Sequence, residues 1–140
     1  MPLGKQSKVL SDKQVESMGD YLAKGRNGIR NHSVLLLSVK AGLRAKEIAS
    51  LKWSMLVGPD GQLGQTISLT NAASKGNSGR IIPINKTLQQ SLETLLAQES
   101  KASGFNADWH VVRSERSESV SSQTVVNMFQ RWYQIGRAHV

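Results

Sequence analysis

Apolar residues recur along this chain mostly three or four positions apart, and the intervals between those stretches are polar or glycine-bearing. Val15, Met18 and Leu22 mark one face of a first helix. Ser11-Asp12-Lys13-Gln14 supplies its start, with Ser11 as N-cap and Gln14 three residues on, a capping-box spacing. Gly25 to Gly28 interrupts that helix. A second is predicted over 31–41, holding the longest apolar run, Val34 to Leu37, and stopping at Gly42. A third is predicted over 45–53. Gly58-Pro59-Asp60-Gly61 has the composition of a turn. Thr66 to Leu69 (TISL) and Arg80 to Ile84 (RIIPI) read as strands joined by the polar loop NAASKGNSG. A fourth helix over 88–98 aligns Leu88, Leu92, Leu95 and Leu96, and a fifth over 122–133 aligns Val125, Met128, Phe129 and Trp132. Residues 99–120 are polar and irregular, with a short strand expected at His110 to Val112. These elements predict an α+β domain, mainly helical, with a small three-stranded antiparallel sheet.

Composition narrows the function classes. The 140 residues suffice for one domain with a core of its own, and 39% are apolar. There are no cysteines, which removes disulfides, thiolate metal sites and cysteine nucleophiles. His32, His110 and His139 show no ligand spacing, so no metal site is expected. Neither a phosphate-binding loop of the G-x-x-x-x-G-K-[ST] type nor an apolar run long enough to cross a membrane is present. The formal net charge of +8 favours a polyanionic partner, nucleic acid first and an anionic membrane surface second.

The segment GLRAKEIASLKW, residues 42–53, carries the most informative pattern. Leu43, Ile48, Leu51 and Trp53 read as core, and Arg44 and Glu47 are set among them. Taken alone, Arg44 and Glu47 read either as a pair on an exposed helix face or as a phosphate-binding guanidinium oriented by a carboxylate. Lys75, in the loop between the strands, reads either as a solvated loop lysine or as an ammonium delivered into a groove. Arg80 opens the second strand as a backbone-phosphate contact or an exposed charge. The three tryptophans, Tyr21 and Tyr133 read as packing residues.

Together, A-G-L-R-A-K-E-I-A-S-L-K-W and the later S-K-G-N-S-G-R-I-I-P-I-N resemble the catalytic domain of the tyrosine recombinases, the phage integrase family. R-N-H-S-V-L-L-L-S-V-K-A is similar to the helix that leads to the family's first arginine. S-S-Q-T-V-V-N-M-F-Q-R-W-Y is similar to the helix before its second active-site box. The resemblance spans about residues 8 to 134. It implies strand breakage and rejoining on double-stranded DNA, without a cofactor. It casts Arg44 as the ligand of the scissile phosphate, Glu47 as a supporting acid and Lys75 as the acid that protonates the leaving 5′-hydroxyl. Arg80, Lys46 and Lys52 become DNA-backbone contacts. It also implies a tetramer on paired sites, no membrane association, and a cytoplasmic protein of bacterial or phage origin.

The family's H-x-x-R box and nucleophilic tyrosine lie downstream of the helix that ends at about Tyr133, and neither is found there: only Val140 follows His139, and Tyr133 precedes the place where that box begins. The last six residues, Ile135 to Val140, spell one reading frame of a widely used sequencing-adapter oligonucleotide. The organisation expected is therefore a lead-in over 1–10, a partial catalytic domain over 11–134 and a non-native tail over 135–140, inactive alone. The alternative is a non-catalytic DNA-binding protein, either a recombination relic or a helix-turn-helix regulator. The regulator fits less well, because Leu51-Lys52-Trp53-Ser54 leads toward β-like sequence where a recognition helix would be needed.

Overall fold

A computed structural model describes residues 11–69, 79–114 and 118–139. Helix α1, Asp12–Ala23, starts at the expected capping box. The Ser11 hydroxyl accepts from the Gln14 amide at 3.1 Å, and the Gln14 side chain accepts from the Ser11 amide at 2.8 Å. Val15, Met18 and Leu22 are buried, as their spacing requires.

Helix α2, Gly28–Val39, begins three residues before the predicted start. The chain reverses through Asn27 in the left-handed region (φ +57°), and Gly28 then packs where a Cβ would lie 2.3 Å from the Ala23 carbonyl oxygen. The breaker cluster is therefore a tight corner between two helices, with its glycine already helical. Ser33 to Leu37 are all buried, because α1 and helix α4, Lys86–Glu99, both pack against α2. Buried Ser33 shares a 2.7 Å hydrogen bond with Ser91 of α4. The helix closes with Gly42 at φ +72° and its amide on the Ser38 carbonyl, a left-handed cap of the kind glycine allows.

Helix α3, Ala45–Ser50, is shorter than predicted. Leu51 turns extended, Lys52 bridges His110, the Val111 amide donates to Leu51 O, and the Trp53 amide donates to Trp109 O. These non-local bonds end the helix at Ser50. A 3-10 turn, Trp53–Met55, then seats Trp53 in the core. With α3 followed by extended chain, no recognition helix follows it, and the helix-turn-helix alternative is set aside.

Strands β1, Thr66–Leu69, and β2, Arg80–Pro83, form an antiparallel ladder that pairs Leu69 with Arg80 at one end and Thr66 with Pro83 at the other. Ile67 and Leu69 point into the core, while Ile81 on the other face is 71% exposed. The expected third strand at His110–Val112 is corrected. Among the described residues the sheet has two strands, because His110 and Val111 spend their backbone bonds on Lys52 and Leu51 and not on the hairpin.

Asn85 caps α4 by accepting from the Leu88 amide, so that helix starts two residues before Leu88. Leu88, Leu92 and Leu95 are buried, and Leu96 lies at the rim of the core. Helix α5, Ser122–His139, packs on α3 through Val125, Phe129 and Trp132, with Met128 partly buried beside them. It extends past the predicted end at Tyr133, taking Gly136 into the helix.

Candidate DNA-phosphate site

Arg44 is the N-cap of α3, with extended backbone at φ −82° and ψ 161°. A guanidinium has no lone pair to accept a helix amide, so only half of a capping box can form here. Glu47 supplies that half: its Oε1 accepts from the Arg44 backbone amide at 2.9 Å. The same oxygen accepts from Nη2 of Arg80 at 2.6 Å. Glu47 is 4% exposed and sits between the two arginines.

This arrangement differs from the simplest reading of Arg44 and Glu47 as a surface ion pair. The carboxylate binds the backbone of Arg44 and the side chain of Arg80, a residue 33 positions away. The Arg44 side chain is exposed, and among the described residues the ion pairs are Arg80–Glu47 and Arg113–Glu99. The result is an exposed Arg44 side chain at the start of a helix whose buried carboxylate is already paired with Arg80, and an exposed guanidinium of this kind is suited to an oxyanion.

Lys46 is exposed on the first turn of α3, one residue into the helix beyond Ala45. Lys52 lies past the other end of α3 and is half-buried. It lies close enough to His110 to act on it: the imidazole's pKa is lowered, first by burial and second by the Lys52 charge, with Glu118 acting the other way. Lys75 falls outside the described residues.

A second charged cluster joins the far end of α2 to the end of α4, and no sequence signal marked it. Arg30 forks onto Asn31 Oδ1 through Nε and Nη2 and donates to the Arg113 carbonyl through Nη1. Arg113 donates to Glu99 at 2.9 Å and lies 4.2 Å over the Trp109 ring. The partners of Arg113 lie 4, 14 and 83 residues away, on no common element, so spacing could not reveal it. Tyr133 is half-buried, its hydroxyl has no hydrogen-bond partner among the described residues, and burial raises its pKa. That environment disfavours the phenolate, which fits a packing role. Among the described residues no group of three or more His, Asp or Glu side chains is placed to share a metal.

The fold and the arginine–glutamate cluster define a helical domain with a basic, hairpin-flanked face. The phage integrase family model matches residues 8–138, and the chain belongs to that family, the tyrosine recombinases. Among solved structures, it is similar to the crystal structure of XerA recombinase, with a TM-score of 0.72 at 17% sequence identity. The match covers 91% of this chain and 42% of the XerA chain, so these residues span under half of that protein's length. At that identity the likeness concerns the fold. No curated protein sequence matches this one.

Proposed function

We propose that this chain acts in site-specific DNA recombination, as part of a catalytic domain that breaks and rejoins DNA strands through a 3′-phosphotyrosine. The observation that carries the reading is the exposed side chain of Arg44, whose amide is held by Glu47, itself paired with Arg80 at the start of the strand that leads back to Lys75. Leu69 and Arg80 are paired across the ladder. Lys75 is five residues before Arg80 in the sequence, so chain length alone keeps its Cα within about 18 Å of Arg80.

In the proposed reaction a tyrosine oxygen attacks the scissile phosphorus and the bond to the 5′-oxygen breaks. Negative charge accumulates on the non-bridging oxygens, where Arg44 binds it bidentately without a metal. Lys75 gives a proton to the departing 5′-oxygen, since an alkoxide is a poor leaving group. Rejoining is the reverse step, with the phosphotyrosine ester retaining the bond energy. Glu47 supports the site from below, and Arg80, Lys46 and Lys52 contact the DNA backbone. The same reading puts the H-x-x-R box and the nucleophile beyond the helix that ends at about Tyr133, so these 140 residues alone are expected to bind DNA and not to cleave it. A tetramer on paired sites and a cytoplasmic location follow from the same reading; among the described residues, no helix is long and apolar enough to cross a membrane.

The test has two parts. The 140-residue chain should bind duplex DNA with log K falling against log salt with a slope of about −4, as expected for four or five phosphate contacts. In a complete recombinase carrying these residues, Arg44→Ala should abolish the covalent protein–DNA adduct while most binding survives. Undiminished adduct from Arg44→Ala would overturn the assignment.

A further inference from the structure

We infer that Arg80 is a positioning residue whose task is to occupy the Glu47 carboxylate, leaving the Arg44 guanidinium free for an oxyanion; this rests on the phosphate-binding role proposed for Arg44. Glu47 is 4% exposed, and a carboxylate so buried requires a cation or a full set of hydrogen bonds. In this structure one oxygen takes both the Arg44 amide and Arg80 Nη2. If Arg80 were absent, the cation three residues before Glu47 and so within reach on the same helical turn would be Arg44 itself; Lys46 is adjacent in sequence, but neighbouring helix residues do not face each other. Its guanidinium would fold back onto the carboxylate and be lost to any ligand. Arg80 forestalls this from the other side of the site. Its side chain is 48% exposed against 5% for Glu47, so it can reach the carboxylate while its outer edge stays in water.

Arg80 is also the first residue of β2 and the ladder partner of Leu69. The contact therefore ties the base of the Lys75-bearing loop to the N-cap that carries Arg44. A counter-charge from this position makes the readiness of Arg44 depend on the hairpin being docked.

The test follows the α3 amides of residues 44–46 by NMR while the 140-residue chain is titrated with inorganic phosphate at pH 7. Arg80→Gln should weaken phosphate binding at these amides about tenfold. Adding Glu47→Gln should restore it to within about threefold of the unsubstituted chain, because glutamine still accepts the Arg44 amide but no longer competes for its guanidinium. A role limited to fold stability, or an effect that arises wholly from Arg80's own phosphate contact, predicts no such recovery. Equal weakening in Arg80→Gln and in the double variant overturns the inference. If Arg80→Gln fails to fold, Arg80→Lys is the second variant. It keeps the counter-charge and should stay within about threefold, whereas a tenfold loss that Glu47→Gln leaves unrelieved overturns the inference equally. Arg44→Ala separates the two claims. If it leaves the phosphate response unchanged, the role proposed for Arg44 fails. If it removes the response while Arg80→Gln does not weaken it, this inference alone fails.

Discussion

Glu47 Oε1 accepts two hydrogen bonds at once, from the Arg44 amide at 2.9 Å and from the Arg80 guanidinium at 2.6 Å. One carboxylate oxygen therefore caps α3 and fastens the β-hairpin to it. Glu47→Ala removes the cap acceptor and frees the hairpin together. It should cost about 2–3 kcal/mol in urea unfolding, while Glu47→Gln, which keeps the cap, should cost about half as much. Equal losses for the two variants would show that the cap contributes little.

Arg44→Ala should leave stability within about 0.5 kcal/mol, because the side chain is exposed and the Glu47 bond goes to the backbone amide. Thermal melting of the same protein used for DNA binding checks this. A large loss would mean that Arg44 is a structural residue.

Gly28→Ala should be the most damaging single-methyl addition in α1 or α2. The new Cβ would meet the Ala23 carbonyl oxygen at 2.3 Å, and backbone on both sides must move. A loss above about 2 kcal/mol is expected. Gly19→Ala is a milder case, because its Cβ would meet the His32 ring at 2.6 Å, a side chain that can rotate away. The ranking of the two by equilibrium unfolding is the test.

Acid should destabilise the fold through two histidines. Burial lowers the pKa of His32, with the Asp20 charge acting the other way, and burial followed by Lys52 lowers that of His110. A histidine whose folded pKa lies below its unfolded value of about 6.5 binds its proton more weakly in the native state. Its contribution is fully present above about pH 6.5 and is lost as pH falls through the folded pKa. Stability measured between pH 7.5 and 5 should therefore drop, and the drop should shrink in His32→Gln. An unchanged pH profile in that variant would show that His32 does not contribute.

Much of this was legible in the sequence, and where it was not, the reason is physical. The Ser11 capping box, the Gly42 stop, β1 and the inner face of α5 are local features, set by side chains a few residues apart. The early end of α3 was not local. Leu51 to Trp53 continue the helical apolar spacing, but Trp109 and Val111 claim their backbone groups across more than 50 residues. The same bonds removed the third strand. At the site, the spacing of Arg44 and Glu47 correctly placed them on one turn, but which atoms of each would meet depended on Arg80 arriving from β2. Lys75, the remaining candidate, lies outside the described residues, and its role rests on family resemblance and chain reach.

The brevity of α3 has a consequence for the electrostatics of the site. Six residues align too few peptide dipoles to offer an anion much of a macrodipole. Nearly all of the attraction at Arg44 must then come from formal charges on side chains. Such a field is adjustable in whole steps: each basic residue exchanged or acetylated subtracts a discrete share, and rising salt damps it smoothly. Affinity for the DNA backbone should thus be open to tuning by surface substitutions that leave the helix framework untouched.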